Sequence, residues 1–192
     1  MKQVYFATRN RGKVNSVKRE LAEHNIDVIH ASLYLPEPRS NNLQEIAREK
    51  VQSAYAQLEQ PCMALDSGFY MHAVKGFPGT FTNFALDTIG IEGMLKLIKG
   101  KSREGEFRNC LAYRDETCLE PVYFESVIKG RLAEQSMGEM REYYWSELFL
   151  VFVPDEKEKT LAEMSLEEYQ DWRAQIYPDS YVSKFAEWFS KR

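Results

Sequence analysis

The sequence predicts an α/β fold in which a mixed β-sheet is flanked by helices. Strand and helix patterns alternate through the first half of the chain, a succession of strand patterns follows, and two helix patterns come last. Hydrophobic residues make up 44% of the 192 residues, which is enough to bury a sizeable core. Because the chain shows no internal repeat and no low-complexity linker, we predict a single domain over residues 1–192.

The first half of the chain contains three short apolar runs separated by two amphipathic segments. Strands are predicted over residues 4–8, 26–31 and 62–65, and helices around residues 14–21 and 43–58. In the helices, apolar residues recur every three or four positions, as a buried helix face requires. The third strand is expected to end at Asp66-Ser67-Gly68, since these residue types favour turns.

The second half begins with a loop at residues 76–79, Gly-Phe-Pro-Gly. A helix is predicted near residues 91–98, strands over 107–113, 122–130 and 147–153, and helices over 166–176 and 181–189. This order of elements again favours a layered α/β fold.

Charge and cysteine content narrow the class of protein. The net charge of −4 disfavours non-specific nucleic-acid binding, although it allows a local basic pocket for a small anion. The N-terminus lacks a signal-peptide pattern, and no apolar run reaches the ~20 residues that span a bilayer. Cys62, Cys110 and Cys118 lack metal-ligand spacing and lie in or beside apolar stretches, which favours reduced thiols and a cytoplasmic location.

A polar segment, Thr-Arg-Asn-Arg-Gly-Lys at residues 8–13, follows the first strand and opens a helix. Helix N-termini present free N–H groups to phosphate, and Lys13 adds a positive charge, while Thr8 and Asn10 offer hydrogen bonds. The segment is not a Walker loop, because Ala7 and Val14 stand where that pattern requires Gly and Ser or Thr. On spacing alone, an ordinary N-cap turn with solvated basic residues is the slightly favoured explanation of the pattern.

The second polar cluster is Asp66-Ser67-Gly68, at the end of an apolar strand. A carboxylate in this position suits a hard cation such as Mg²⁺, and Gly68 permits close approach of the backbone. The alternative is a turn that only ends the strand.

A third group of candidate residues lies between residues 37 and 50. Lys50 lies on the second helix, near the polar border of its apolar face, with Glu45 five residues earlier. Glu37 lies in the preceding Pro-rich loop. A solvated helix face is the alternative explanation for such charges, and it is the one that we expect for Arg48 and Glu49.

The order of these motifs along the chain carries more information than any one of them. Thr-x-Asn-x-x-Lys is followed by an acidic loop, Glu-x-Ala-x-x-Lys, Asp-Ser-Gly and Gly-Phe-Pro-Gly. Phe124-Glu125-Ser126 with Gly130, and Lys-Thr-Leu-Ala-Glu-Met at residues 159–164, come later. This order resembles the inosine triphosphate pyrophosphatase family of non-canonical purine nucleoside triphosphate pyrophosphatases.

The resemblance implies a fold, an activity and an assembly. The fold would be a long mixed β-sheet flanked by helices, with two lobes and a central cleft. The activity would be hydrolysis of a nucleoside triphosphate to a monophosphate and pyrophosphate with Mg²⁺ or Mn²⁺, and the assembly would be a homodimer.

The resemblance also implies roles for individual residues. Asn10, Lys13 and Lys50 would contact the triphosphate. Glu37 would be a metal carboxylate, and Asp66 would be the central carboxylate, which binds the metal or orients the attacking water. Ser67 and Gly68 would line the same pocket as substrate-binding residues, with Thr8.

The sequence departs from the family pattern in two places. Leu65 stands where many members carry a second acid. The Gly-Phe-Gly-Tyr/Trp-Asp-Pro and Ser-His-Arg motifs that would read the base are replaced, so that Trp145 and Tyr169, with Tyr143 and Tyr144, become candidates for a rebuilt base pocket. Core packing is the alternative role for each of these aromatic residues.

Three rival hypotheses follow from these departures. The chain could act on another nucleotide, it could bind a nucleotide without turnover, or it could be an α/β interaction module without a ligand.

Overall fold

The apolar runs of the sequence form a seven-stranded sheet with six α-helices in the computed structural model, which describes residues 2–192. The strands are β1 (Lys2–Ala7), β2 (Ile26–Ala31), β3 (Cys62–Met71), β4 (Pro78–Gly79), β5 (Glu104–Arg114), β6 (Val122–Leu132) and β7 (Phe152–Pro154). The α-helices are α1 (Arg11–Ala22), α2 (Leu43–Leu58), α3 (Thr82–Thr88), α4 (Gly90–Leu97), α5 (Leu166–Ile176) and α6 (Tyr181–Ser190). Three 3₁₀ helices cover His72–Val74, Glu147–Leu150 and Tyr177–Asp179.

The sheet is mixed, as the order of strands and helices predicted. Hydrogen bonds connect the strands in the order β2-β1-β3-β5-β6-β7, and β4 pairs with β3 outside this path. β1 is parallel to both β2 and β3, whereas the β3–β4 and β6–β7 pairs are antiparallel. The predicted α/β class with a mixed sheet is therefore confirmed.

The chain divides into two compact units. Unit 1 comprises Met1–Ser67, of which residues 2–67 are described, together with Asn109–Ser126 and Tyr177–Arg192. Unit 2 comprises Gly68–Arg108 and Val127–Ile176. Three of the four boundaries fall within β3, β5 and β6, so each of these strands contributes residues to both units, and the fourth follows α5.

In unit 1, alternate strand residues are buried on the two faces of the sheet, as expected for parallel strands covered on both sides. The first face packs against α1 and α6 and is lined with large side chains such as Phe6, Met63 and Tyr113. The second face packs against α2 and is lined with small side chains, among them Ala7 and Ala64.

The small side chains on the second face allow α2 to lie close to the strands. Ala47 and Ala54 of α2 are fully buried against Ala64 and Ala112 of the sheet. Asn42 caps the helix, because its side-chain oxygen accepts a hydrogen bond from the backbone N–H of Gln44 at 2.9 Å. This packing fixes the position of Lys50, which lies on the same helix.

Unit 2 has a core built largely from aromatic rings. The rings of Phe69 and Phe152 pack against that of Phe107, with centroid separations of 4.8 and 4.9 Å. Tilted and edge-to-face contacts of this kind add to the burial of apolar surface.

Every predicted strand except the second differs from the structure in at least one bound, and two of these differences change the fold. The third strand does not end at Asp66 but continues to Met71. Its last residues remain extended because Phe69 and Met71 are fully buried in the core of unit 2. The strand predicted over residues 147–153 is a 3₁₀ helix, Glu147–Leu150, followed by β7, Phe152–Pro154. Ser146 caps the 3₁₀ helix by accepting a hydrogen bond from the N–H of Leu148, which favours a helical start over a strand.

The segment between β3 and β5 also contains more structure than the sequence predicted. The loop at residues 76–79 includes β4, whose two residues pair with Phe69 and Tyr70. The helix predicted near residues 91–98 is α4, and the preceding helix α3 was missed. Only Thr82 and Ala85 of α3 are buried, so the helix lacks the strong apolar periodicity on which the prediction depended.

Cys62 and Cys110 are buried free thiols, and Cys118 is half-buried and also free. Burial raises the pKa of both buried thiols to about 12. Over residues 2–192, no helix has the length and apolar character needed to cross a bilayer.

Candidate active site

The turn after β1 places Lys13 in the first turn of α1. The side-chain oxygen of Asn10 accepts a hydrogen bond from the backbone N–H of Lys13 at 3.0 Å, and the Thr8 hydroxyl accepts one from the N–H of Asn10 at 3.2 Å. Asn10 is thus the N-cap of α1, with an extended backbone. Asn10 therefore caps α1, as the sequence allowed, and the cap fixes the position of the Lys13 backbone.

Contacts from β2 and the residues after it hold the same turn. The Thr8 N–H donates to the carbonyl of Ala31 at 3.1 Å, and the Thr8 carbonyl lies 2.8 Å from Nε2 of His30. The guanidinium of Arg9 lies over the ring of Tyr34, 5.5 Å from its centroid. Sequence analysis missed His30 and Tyr34, because only the parallel pairing of β1 with β2 brings them to this turn.

The central contact of the site joins Lys50 to two carboxylates. The Lys50 ammonium lies 2.6 Å from Oδ1 of Asp66 and 2.9 Å from Oε1 of Glu37. The side chains of Lys50 and Asp66 are each 11% exposed, whereas that of Glu37 is 68% exposed. A largely buried lysine and a largely buried aspartate therefore form a direct ion pair, with the more exposed Glu37 as a second partner.

A second ammonium lies beside this pair. Lys13 Nζ donates a hydrogen bond to the hydroxyl of Ser67 at 3.2 Å, and Ser67 directly follows Asp66 in β3. Burial lowers the pKa of Lys13 to about 8, even though the negative charge of Asp66 opposes that change. The positive charge of Lys50 acts on this pKa in the same direction as burial, because a like charge disfavours a second ammonium nearby.

The charges of the ion-paired groups stabilise each other. For Glu37, burial acts to raise the pKa, but the hydrogen bond and charge of Lys50 outweigh it and the pKa is lowered. For Lys50, burial acts to lower the pKa, but the charge and hydrogen bond of Asp66 outweigh it and the pKa is raised. The cluster therefore holds fixed charges of both signs.

The arrangement suits a polyanion accompanied by a cation. Two lysines and the N-terminus of α1 offer positive charge to phosphates. Two carboxylates, those of Glu37 and Asp66, already lie within bonding distance of one cationic group. Within residues 2–192, no group of three or more His, Cys, Asp and Glu side chains is placed to hold a metal. Mg²⁺ needs only one or two protein carboxylates when phosphates and water supply the rest, so the pair fits it.

Gly68 begins unit 2, and close backbone packing accounts for its lack of a side chain. A Cβ atom there would lie 2.6 Å from the carbonyl oxygen of Gly79 and 3.0 Å from the ring of Tyr70. Thr82 connects β3 to β4, because its hydroxyl donates to the Gly79 carbonyl and accepts from the N–H of Phe69, both at 2.8 Å.

Leu65 lies on the opposite face of β3 from Asp66. It is 5% exposed and belongs to the apolar cluster that also contains Met63 and Leu111. The leucine that replaces the family's second acid at this position thus contributes to the apolar core between the sheet and helices α1 and α6.

The two proposed base-contacting residues lie in different surroundings within unit 2. Trp145 is partly buried and packs edge-on against Phe107 and Phe149, with centroid separations of 5.1 Å in each case. Tyr169 is 2% exposed and packs among other aromatic rings, including Tyr144 and Trp172. Core packing accounts for Tyr169, whereas Trp145 keeps part of its surface exposed.

Comparison with known proteins identifies the family of the chain. The model of the Ham1 family matches residues 4–174. A dITP/XTP pyrophosphatase of Methanopyrus kandleri is 36% identical over 189 residues, which cover 97% of this chain and 96% of that protein. A dITP/XTP pyrophosphatase of Saccharolobus solfataricus is 33% identical over 186 residues, which cover 96% and 94%.

Solved structures share the fold. A HAM1 protein from Coxiella burnetii superposes with a TM-score of 0.78 at 21% identity, covering 100% of this chain and 98% of that one. The Ham1 protein of Staphylococcus aureus gives the same TM-score at 22% identity, covering 99% of each chain.

The lowered pKa of Lys13 predicts that replacing this lysine stabilises the protein. Below about pH 8 the amine is charged in both folded and unfolded chains, and the folded chain bears the cost of burying that charge. This cost shrinks as pH rises from about 8 towards 10.5, the ordinary lysine value, above which both states are neutral. Lys13→Met should therefore raise the free energy of unfolding at pH 7 by about 1–3 kcal/mol, and the gain should fade towards pH 10.5.

Urea denaturation at several pH values measures this difference. Lys18→Met is the control, because Lys18 is exposed on the same helix. A gain for Lys13→Met that is independent of pH would show that buried charge is not its cause.

Proposed function

This chain belongs to the Ham1 family, and we propose that it is a nucleoside triphosphate pyrophosphatase acting on non-canonical purine nucleotides such as dITP and XTP. The reaction hydrolyses the bond between the α and β phosphates and releases a nucleoside monophosphate and pyrophosphate. The names of the M. kandleri and S. solfataricus relatives support this choice of substrate.

The observation that supports this proposal most directly is the meeting of Lys13, Lys50, Asp66 and Glu37 in one part of unit 1. These residues come from a helix start, a second helix, a strand and a loop, which are separate in sequence. Phosphoryl transfer depends on positioning and charge neutralisation more than on covalent chemistry. Two ammonium groups beside two carboxylates provide both.

Each residue has a distinct role in the proposed reaction. Lys13 and Lys50 bind phosphate oxygens and neutralise their charge. Asn10 and Thr8 hold the turn from which Lys13 projects, and the N–H groups at the start of α1 also face phosphate. Asp66 orients the attacking water or accepts its proton, since it is the buried carboxylate of the pair.

Glu37 and Asp66 are the residues that would hold a divalent ion, which we propose to be Mg²⁺, with Mn²⁺ as a substitute. When bound, the ion would neutralise phosphate charge and fix the geometry of the triphosphate. Ser67 keeps Lys13 close to these carboxylates through its hydroxyl, which accepts the hydrogen bond from Nζ.

We propose Trp145 as the residue of unit 2 that stacks on the purine base. It lies in an aromatic segment with Tyr143 and Tyr144, and its ring is only partly buried. Indole rings stack well on bases because both have extended π-faces.

The assembly proposed is a homodimer in the cytoplasm. Several large apolar side chains of unit 2 are exposed, and Phe84 on α3 is 68% exposed while Ile89 is 43% exposed. Exposed apolar surface of this kind commonly marks a protein interface. Three free cysteines agree with a reducing compartment.

Removing the charge of Asp66 tests the proposed activity. Asp66→Asn should lower turnover by at least about 100-fold, because the variant can neither orient water nor help to hold the metal. Pyrophosphate release is measured over a panel of nucleoside triphosphates, including dITP and XTP, with Mg²⁺ or Mn²⁺.

Asp27→Asn is the matched control, since that carboxylate lies on β2 and its side chain accepts a hydrogen bond from Gln3. Hydrolysis of another nucleotide alone would reassign the substrate. Nucleotide binding without any release by the wild-type protein would instead show a nucleotide-binding protein that lacks turnover.

Replacing Trp145 tests the proposed base contact. Trp145→Ala should lower kcat/KM for inosine nucleotides by about tenfold, because stacking contributes on the order of 1–3 kcal/mol per base. Since every base has a π-face, the value for ATP should fall with that for ITP. Phe149→Leu is the control, because Phe149 packs against Trp145 but is 1% exposed. An unchanged kcat/KM for both nucleotides in Trp145→Ala would assign that residue to packing.

A charge on α3 tests the proposed assembly. Phe84→Glu should weaken self-association by at least about tenfold, because it places a charge in a surface that a second copy would cover. Sedimentation velocity measures the monomer–dimer equilibrium, with Lys96→Glu on α4 as an exposed control. A wild-type protein that stays monomeric at high concentration would rule out the dimer.

A further inference from the structure

Lys50 has surroundings that a divalent cation would also select. Its ammonium lies between one carboxylate of β3 and one from the loop before α2, at 2.6 and 2.9 Å. The Lys50 side chain is 11% exposed, so water can screen its charge only weakly. The two carboxylates that would hold a metal are therefore already paired with a positive charge that belongs to the chain.

We propose that Lys50 is a built-in counter-ion that occupies the cation position between Glu37 and Asp66 until a triphosphate draws it away. This inference rests on the proposed function, because it assumes that Glu37 and Asp66 are the metal-binding carboxylates. It goes beyond that function by assigning Lys50 control over when the metal binds.

Electrostatics explains why such a counter-ion is needed. Asp66 is 8% exposed, and a buried carboxylate without a partner is costly. A second carboxylate nearby, that of Glu37, would repel it further. The ammonium of Lys50 relieves both effects, so the carboxylate pair is stable without a metal.

The same contacts oppose the binding of a metal by itself. A divalent ion that approaches Asp66 must replace Lys50 and leave the ammonium partly buried without its partner. A triphosphate removes this obstacle, because its oxygens give the displaced ammonium a new anionic partner. The metal and the nucleotide are therefore expected to bind together, and the metal alone is expected to bind weakly.

Position 50 is held by the fold and not by its charge alone. Val51 and Ala47 of α2 are fully buried against the small side chains of the sheet, which keeps the backbone of the helix in place. Removal of the Lys50 amine should thus leave the carboxylates in position while freeing them for another cation.

Binding of Mn²⁺ alone to the nucleotide-free, full-length protein tests the inference. Isothermal titration calorimetry and the paramagnetic resonance signal of free Mn²⁺ give the dissociation constant. Lys50→Met should bind Mn²⁺ at least about tenfold more tightly than the wild type, because the competing charge is gone. Arg48→Met is the matched control: it removes a positive charge from an exposed position on the same helix and should behave like the wild type.

Two further variants make each outcome decisive. Lys50→Met combined with Asp66→Asn should lose the gained Mn²⁺ site, which would place that site at Asp66. Lys50→Gln serves the same purpose as Lys50→Met if the latter does not fold, as judged by circular dichroism and thermal unfolding.

The inference would be overturned if folded Lys50→Met and Lys50→Gln bound Mn²⁺ no more tightly than the wild type, or if Arg48→Met showed an equal gain. Since Mn²⁺ binding requires no turnover, this result is separate from the activity test. If no nucleotide of the panel released pyrophosphate while Lys50→Met bound Mn²⁺ more tightly, the proposed enzyme activity would be refuted. Lys50 would still be the counter-ion of Glu37 and Asp66.

Discussion

The ion pair between Lys50 and Asp66 is the interaction on which the candidate active site depends. Both side chains are largely removed from water, and a buried charge is tolerated only when it is paired. The pair joins α2 to β3, so it links the helix that covers one face of unit 1 to the strand at its centre. Glu37 is a second partner of Lys50, and Lys13 donates a hydrogen bond to Ser67, the residue next to Asp66.

Packing explains how this pair is formed. The α2 face of the sheet carries small residues, whereas the opposite face carries Phe6, Met63 and Tyr113 beneath α1 and α6. Small side chains allow α2 to approach the strands, and the Lys50 amine then reaches a carboxylate on β3. The parallel register of β1 with β2 and β3 brings the ends of these strands to one edge. The Thr8–Lys13 turn and Asp66 meet there, as ligand sites in α/β sheets commonly do.

The positive and negative groups of the site balance each other, and this balance has consequences for function. Lys13 has a pKa of about 8 because of its burial, so a phosphate that binds beside it also favours its charged form. Lys50, by contrast, is held in its charged form by two carboxylates. Burial thus disfavours the charge of one ammonium, and ion pairs favour the charge of the other. A polyanion that binds with its own cation would change the surroundings of both. The family membership of the chain agrees with such a ligand.

The α/β class, the amphipathic helices and the identity of the polar motifs can be predicted from the sequence alone, because periodicity and turn chemistry are local properties. The same local patterns have limits, as the comparison of the sequence predictions with the strands and helices of the structure shows. The sequence predicted the bounds of α2 and α5 closely, since their apolar faces recur regularly. It ended β3 at Asp66 because turn-forming residues cannot reveal that Phe69 and Met71 are buried in a second core. It also missed His30 and Tyr34, which contact the turn between β1 and α1. The contacts of Lys50 with both Glu37 and Asp66, and the burial of Tyr169, became visible only in three dimensions, because contacts between distant residues depend on strand register and helix packing.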